Sequence, residues 1–322
     1  MGEANTTKAV LVWKTLKKQK AALAIIVIAI AMTFLSPYFW TGNNMTSLLL
    51  QVTTLWIMAF GVTFCIISGE CDLSLGANMC LAGIIAIKLQ PYLSLFAILV
   101  IVLLMGAVIG LINAFISVDQ GANSFIVTLG MMMFLKGLCL VITSGNPIAG
   151  HSTAYADFGS GKTLGLYNIT WIAIIAFIVC LLVLNRTQFG RNCFAVGGDK
   201  GVAAYSGINV KRHKRITFVI SAVSAALAGF CLSAELNSGS ATYGDNTALL
   251  INCGVVVGGT PFNGGYGGMI QSMIGVFLFG LLENVMNLMS VTPYVQQLVR
   301  GIMIVVVIAM DCYARKKKTT DV

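Results

Sequence analysis

Long apolar stretches, punctuated by three dense patches of positive charge, constrain this chain more than anything else in it. The pattern predicts spans over residues 21–40, 45–68, 75–89, 92–118, 124–143, 167–184, 216–234, 249–259, 265–289 and 294–310. About twenty apolar residues in a helix cross the hydrocarbon core of a bilayer, where every backbone N–H and C=O must be bonded internally. The chain is therefore read as an all-α integral membrane protein with about ten transmembrane helices. The stretches at 75 and 249 are short, which fits broken or re-entrant helices and puts the count at roughly eight to eleven.

The charges give an orientation. Sixteen of the twenty Lys and Arg lie in the first twenty residues, in 185–215 or in the last ten. That distribution is the positive-inside pattern of a multi-pass protein. It excludes the reading that the net charge of +9 marks a nucleic-acid-binding face. Ten crossings place both termini and the 185–215 run in the cytoplasm. Residues 1–20 are read as a cytoplasmic segment, 21–312 as one transmembrane domain, and 313–322 as a basic cytoplasmic tail. The first span is too long for a signal-peptide core, and SPYFW is not a small-residue cleavage site.

Catalytic chemistry finds little here. The nine cysteines are scattered, mostly in apolar stretches, without a CxxC pair. His151 and His213 fall in different loops. No metal site, no cofactor and no convergent set of acids and histidines is expected. Residues 156–163, ADFGSGKT, fit a loose phosphate-loop pattern. A working loop of that kind needs a strand before it and a helix after it. This stretch sits in the largest external loop, 144–166, and is read as accidental, so the chain has no ATPase of its own.

The polar run 185–215 holds seven basic residues against Asp199. Its middle, Asp199–Ser206, has helix-forming residues, with Gly197 and Gly198 before it and Gly207 after it as stops. It is read as a short cytoplasmic helix by which another protein moves the membrane part; the plain alternative is a solvated loop that fixes topology.

Polar groups within spans face other helices or a wet path. Gln51, Thr54, Gly61, Cys65 and Ser68 share one face. So do Gly106, Gly110, Asn113 and Ser117, and Ser221, Ala225 and Gly229. Small residues in these rows fit close helix packing; Asn113 fits packing or path lining. Gly280, Glu283, Asn284 and Asn287 cluster in the ninth span, where the acid points to a cavity or an interface. Lys136 and Arg300 are expected to snorkel to the outer interface. Two Gly-rich breaks, 68–76 and 258–268, fit irregular backbone that marks transport sites, and Asp72 suits a cap for the helix starting near Ser74.

At these breaks the chain resembles a known family. ISGECDLSLG at 67–76 is similar to the signature T/SGGIDLSVG of ribose/galactose/xylose-type sugar ABC importer permeases. FIVTLGMMMFLKGLCLVITSGNP at 125–147, GRNCFAVGGDKGVAAYSGINV at 190–210 and VVVGGTPFNGGYGG at 255–268 resemble three further motifs of that family, in order. The resemblance implies a transport subunit in a prokaryotic plasma membrane. It works with cytoplasmic ATPase subunits, an extracytoplasmic solute-binding protein and a second permease subunit, identical or not. It implies that Gly197, Gly198, Asp199, Ala203, Ala204, Ser206, Gly207 and Ile208 couple the chain to the ATPase. Asp72, Ser74, Asn78, Asn113, Asn252, Asn284 and Asn287 are the candidates for the substrate path. The expected solute is small, neutral and polar, a monosaccharide first; a nucleoside or furanosyl signalling compound is the alternative within the family, and an ion-coupled secondary transporter the alternative outside it. The chain departs from the family pattern at Glu70, Asp199, Lys200, residues 244–249 and Glu283.

Overall fold

A computed structural model describes the backbone of residues 20–320 and the side chains of 21–309. The cytoplasmic segment expected at 1–20, but for the backbone of its last residue, and the side chains of the basic tail lie outside the described residues. The helices are α1 (Lys20–Leu35), α2 (Gly42–Ile67), α3 (Leu75–Leu89), α4 (Leu95–Ala114), α5 (Ser124–Thr143), α6 (Thr153–Ser160), α7 (Asn168–Arg186), α8 (Gln188–Gly198), α9 (Lys200–Tyr205), α10 (Val210–Leu236), α11 (Thr247–Gly258), α12 (Met269–Leu288) and α13 (Pro293–Thr320). A π-helical turn, Phe115–Asp119, ends α4.

Six helical segments are long and apolar enough to cross a membrane: Gly42–Ile67, Leu95–Asp119, Ser124–Thr143, Asn168–Arg186, Val210–Leu236 and Met269–Leu288. Four shorter apolar helices, Ala21–Leu35, Leu75–Leu89, Thr247–Gly258 and Pro293–Ala309, complete the set. Each apolar stretch of the sequence thus holds a helix, and six of them meet the length of a crossing unaided.

The bundle is built around α10, which packs on α2, α3 and α4. Small residues make this possible. A Cβ placed on Gly106 would lie 2.8 Å from the Ala222 carbonyl oxygen, and one on Gly110 equally close to that of Phe218. The GxxxG of α4 is therefore the seat of α10, as close helix approach in lipid requires. Gly61 meets Ser224, and Gly229 meets the Met79 carbonyl, at still shorter range.

The ends of the bundle differ. One carries 68–74, 119–123, α8, α9 and 259–268, and is called here the basic end. The other carries the loop 144–166, which is ordered by two small antiparallel pairs. β1 (Ile148–Ala149) pairs with β4 (Ser238–Gly239), and β2 (Lys162–Thr163) with β3 (Leu166–Tyr167). The Tyr155 hydroxyl, on α6, bonds the Phe230 carbonyl at 3.1 Å and Ser233 Oγ at 2.8 Å, which docks the loop on α10. The ADFGSGKT stretch spans the end of α6 and β2, so a helix, not a strand, precedes its glycines.

Candidate functional site

Two irregular segments enter the bundle from opposite ends. From the basic end, 68–74 climbs beside α10. Glu70 pairs with Lys214, and two residues on Asp72 Oδ2 accepts from Ser221 Oγ at 2.7 Å. From the other end, 239–246 descends along α3. A Cβ on Gly239 would lie 2.9 Å from Ile84 Cα, and one on Gly244 2.1 Å from the Gly76 carbonyl oxygen. The starts of α3 and α11 therefore meet inside the bundle. Irregular backbone at that depth is tolerated only where protein or a cavity receives it. Helix starts also carry a partial positive charge.

Beneath this meeting point lies a buried polar knot, in which the Asn78 and Asn113 Oδ1 atoms have no hydrogen-bond partner. Asp72 Oδ1 accepts from Ser74 N at 2.9 Å and from Ser74 Oγ at 2.6 Å. Asn113 Nδ2 donates to Ser74 Oγ at 3.0 Å. Asn252 Nδ2 donates to the Asp72 carbonyl at 3.0 Å, and Asn78 Nδ2 to the Ala222 carbonyl at 2.8 Å. All five side chains are buried. The Asp72 carboxylate forms a tight turn with Ser74 and ties α10 to it. Ser74 occupies the cap position without a side-chain cap bond.

The other two path candidates sit at the far end. Asn284 Nδ2 donates to Asn44 Oδ1 at 2.9 Å, and the Asn44 amide returns a bond at 3.3 Å. Asn287 is exposed and accepts from Gln296 Nε2 at 2.9 Å. None of the seven borders the large cavity of the molecule.

That cavity, of about 600 Å³, lies between α2, α10, α11, α12 and α13. Its polar lining includes Gln51, Thr54, Glu235, Thr242, Asn246, Thr247 and Gln297; Met58, Met79 and Leu250 supply apolar floor. Two ion pairs flank it. Arg300 Nη2 donates to Glu283 Oε1 at 2.8 Å, and Lys136 pairs with Asp245. Lys136 and Arg300, expected to snorkel to the outer interface, each meet a carboxylate from another helix or loop. Glu235 has no ion-pair or hydrogen-bond partner among the described residues. Gln51 and Thr54 were legible as one polar face of α2. Glu235, Thr242, Asn246 and Gln297 were not; the only signal was the polar stretch before α11.

At the basic end the chain folds more tightly than its residues foretold. Gly197 and Gly198, expected as stops, end helix α8 ahead of α9. A Cβ on Gly197 would lie 1.8 Å from the Ile67 carbonyl oxygen and 2.5 Å from Gly265 N, so close approach also requires a glycine there. The Gly265 amide donates to that same carbonyl at 2.8 Å. Both Gly-rich breaks and α8 converge on the end of α2. Asp199 caps α9, accepting from Gly201 N at 2.7 Å and Val202 N at 3.0 Å. Gly207, at φ 78°, closes it, with its amide bonded to the Ala204 carbonyl and that of Ile208 to Ala203. Ser206 Oγ turns back to the Val202 carbonyl at 2.9 Å. Ala203 is buried, whereas Val202, Ala204 and Tyr205 are exposed; Tyr205 is 96% exposed. Among the described residues no cluster of His, Cys, Asp and Glu could hold a metal ion.

Comparison with known proteins agrees with this architecture. The family described as branched-chain amino acid transport system / permease component matches residues 44–308. The ribose import permease protein RbsC of Haemophilus influenzae is 33% identical over 98% of this chain and 99% of its own length. That of Bacillus subtilis is 36% identical over 92% of each chain. The D-allose transport system permease protein AlsC of Escherichia coli is 32% identical over 89% of this chain and 88% of its own. No solved structure matches the chain. The chain belongs to this permease family: it is a non-catalytic, membrane-embedded transport subunit of an ABC importer, whose ATPase is a separate chain.

Proposed function

We propose that the chain carries a monosaccharide of the ribose, allose or arabinose kind through about ten crossings of a prokaryotic plasma membrane, with both termini in the cytoplasm. The observation that carries this reading is the 600 Å³ cavity, open at the end opposite the basic segments. Its size falls within the roughly 300–1,000 Å³ of small-molecule sites. Its amides and hydroxyls suit a neutral polyol. An amino acid would need a free cation for its carboxylate, but Arg300, the basic residue of the lining, is bonded to Glu283. The three relatives named above transport sugars by name.

In this arrangement the cavity faces outward and receives solute from an extracytoplasmic binding protein. Asp72, Ser74, Asn78, Asn113 and Asn252 form the seal beneath it, and Asn284 and Asn287 brace its rim. The seal parts when the partner ATPases change state, pulling on α9 and the glycines of α8. Coupling of this kind requires that the partners bind the two arrangements with different affinity. The exposed Val202 and Tyr205 give the ATPase an apolar hold, and a second permease subunit completes the pathway.

The test is uptake of labelled ribose by proteoliposomes holding the chain, its ATPase and its binding protein. ATP-dependent uptake that needs all three is expected. Uphill uptake by the chain alone would overturn the reading and favour an ion-coupled carrier.

A further inference from the structure

The ionised side chains that line the large cavity are not all matched. Asp245 meets Lys136, and Glu283 meets Arg300. Glu235 is half-buried and has no ion-pair or hydrogen-bond partner among the described residues. Three lining acids thus face two cations, which leaves the cavity one negative charge. The helix gains nothing from that charge. Glu235 is the last residue but one of α10, which ends at Leu236. A helix C-terminus carries partial negative charge, so an acid there is repelled unless a cation answers it. Partial removal from water adds a further cost.

The turn that carries Glu235 is nevertheless fixed in place by the loop behind it. A Cβ on Gly159 of α6 would lie 2.1 Å from the Ala234 carbonyl oxygen and 2.6 Å from Glu235 N, so α6 rests directly on the backbone there. One turn back, the Tyr155 hydroxyl is bonded to Ser233 Oγ. Just beyond, Asn237 takes left-handed backbone at φ 43°. Its Oδ1 accepts from Gln90 Nε2 at 3.3 Å, and its Nδ2 donates to the Gly150 carbonyl at 3.2 Å. The Gly150 amide donates to the Asn237 carbonyl at 2.7 Å. The end of α10 is therefore a rigid mount that sets an unmatched carboxylate in the cavity wall. A binding group held by a supporting shell of this kind keeps its position without the ligand.

The chemistry of the wall says what such a carboxylate meets. An ionised carboxylate only accepts hydrogen bonds, and its two oxygens accept from adjacent donors at once. Neighbouring hydroxyls of a sugar are such donors, and bonds to a charged acceptor are the stronger kind. A carboxylate or phosphate on the solute would instead meet a like charge, with Arg300 and Lys136 already engaged. We propose that Glu235 is a substrate-binding residue that sets specificity: its two oxygens accept from adjacent hydroxyls of the sugar, and its charge turns away sugar acids and sugar phosphates. This rests on the sugar pathway proposed above and adds the residue that reads the solute. Gln51, Asn246 and Gln297, whose side-chain amides have no partner among the described residues, supply the donors and acceptors for the remaining hydroxyls.

Saturation-transfer NMR on the full-length chain with its ATPase in nanodiscs reads weak, direct sugar binding without the binding protein, which has a selectivity of its own. Ribose and ribose 5-phosphate are the probes. Wild type should bind ribose and discriminate against the phosphate. Glu235→Ala should weaken ribose binding about tenfold. Glu235→Gln keeps the shape and removes the charge, so the preference for ribose over ribose 5-phosphate should fall about tenfold. A residue that only supported the fold would leave that ratio alone. Melting temperatures of both variants should equal or exceed that of wild type, since no partner is lost and a repelled charge is removed. Asp157→Asn, an exposed acid of α6 outside the lining, should change neither sugar. Wild-type ribose affinity in Glu235→Ala, or an unchanged ratio in Glu235→Gln, overturns the assignment while the sugar pathway stands. Absence of transfer to ribose, allose and arabinose alike in wild type overturns the pathway itself, and the assignment with it.

Discussion

The two segments that enter the bundle, 68–74 and 239–246, do the same topological work by different means. The first is tied by hydrogen bonds and charge: Asp72 to Ser74 and Ser221, Asn252 to the Asp72 carbonyl, Glu70 to Lys214. The second is held by backbone contact, with Gly239 against α3 at Ile84 and Gly244 against Gly76. It leaves Thr242, Tyr243 and Asn246 facing the cavity. One segment is thus locked by specific polar bonds across the bundle, and the other is a close-packed wall whose Thr242 and Tyr243 hydroxyls bond Ser240 and Ser238 of the same segment, which leaves the Asn246 side-chain amide without a partner among the described residues. In the function proposed here the first is the seal that opens only when forced, and the second is the wall of the entrance.

This contrast breaks most visibly at Asp72. Removing its carboxylate in Asp72→Ala deletes three hydrogen bonds to an ionisable group, each worth about 1.5–3 kcal/mol. Loss of most folded protein is expected in fluorescence size-exclusion assays; a wild-type melting temperature would remove the knot from the account. Glu70→Gln comes next, because it leaves the Lys214 ammonium buried without its partner, at a cost of about 3–5 kcal/mol. The melting temperature should drop, and Glu70→Gln with Lys214→Met should recover most of it, since a matched apolar replacement is often tolerated.

On the second segment the effects separate. Gly244→Ala, a close-packing change, should cost about 1–3 kcal/mol. Asn246→Gly, which keeps the left-handed φ of 62° and removes an exposed amide that has no partner among the described residues, should leave the melting temperature alone while lowering sugar uptake about tenfold, the effect of one lost hydrogen bond of about 1.4 kcal/mol. If Asn246→Gly instead unfolds the protein, this description of the wall fails. The smallest effect on stability is expected at α9. Val202→Asp and Tyr205→Ala alter only exposed side chains, so both variants should fold normally yet lose co-purification with the ATPase. Full co-purification would move the contact elsewhere.

Much of this was readable in the residues. The apolar period located every long helix, because lipid imposes internal hydrogen bonding on each. The spacing of Gly106 and Gly110 located the seat of α10. Gln51 and Thr54 were legible because two polar groups one turn apart must share a face. Two things were not. Asp72, Ser74, Asn78, Asn113 and Asn252 are polar residues in apolar surroundings, and that signal does not say which of them bond one another. Apart from the Asp72–Ser74 turn, the bonds that join them to one another span 39 to 180 residues. Gly197 was legible as part of a helix stop, but its contact with Ile67 and Gly265 was not, because no local pattern brings them near.

The central claim is that the cavity above the knot is the open, outward-facing part of the pathway. Its most direct test is labelling of single substituted cysteines in intact cells by a membrane-impermeant maleimide. The background is low, because the eight described native cysteines are free but buried or half-buried. Gln51→Cys should label readily, and more slowly when sugar-loaded binding protein is supplied, while Asn113→Cys should not label. Labelling of Asn113→Cys with Gln51→Cys protected would contradict the account.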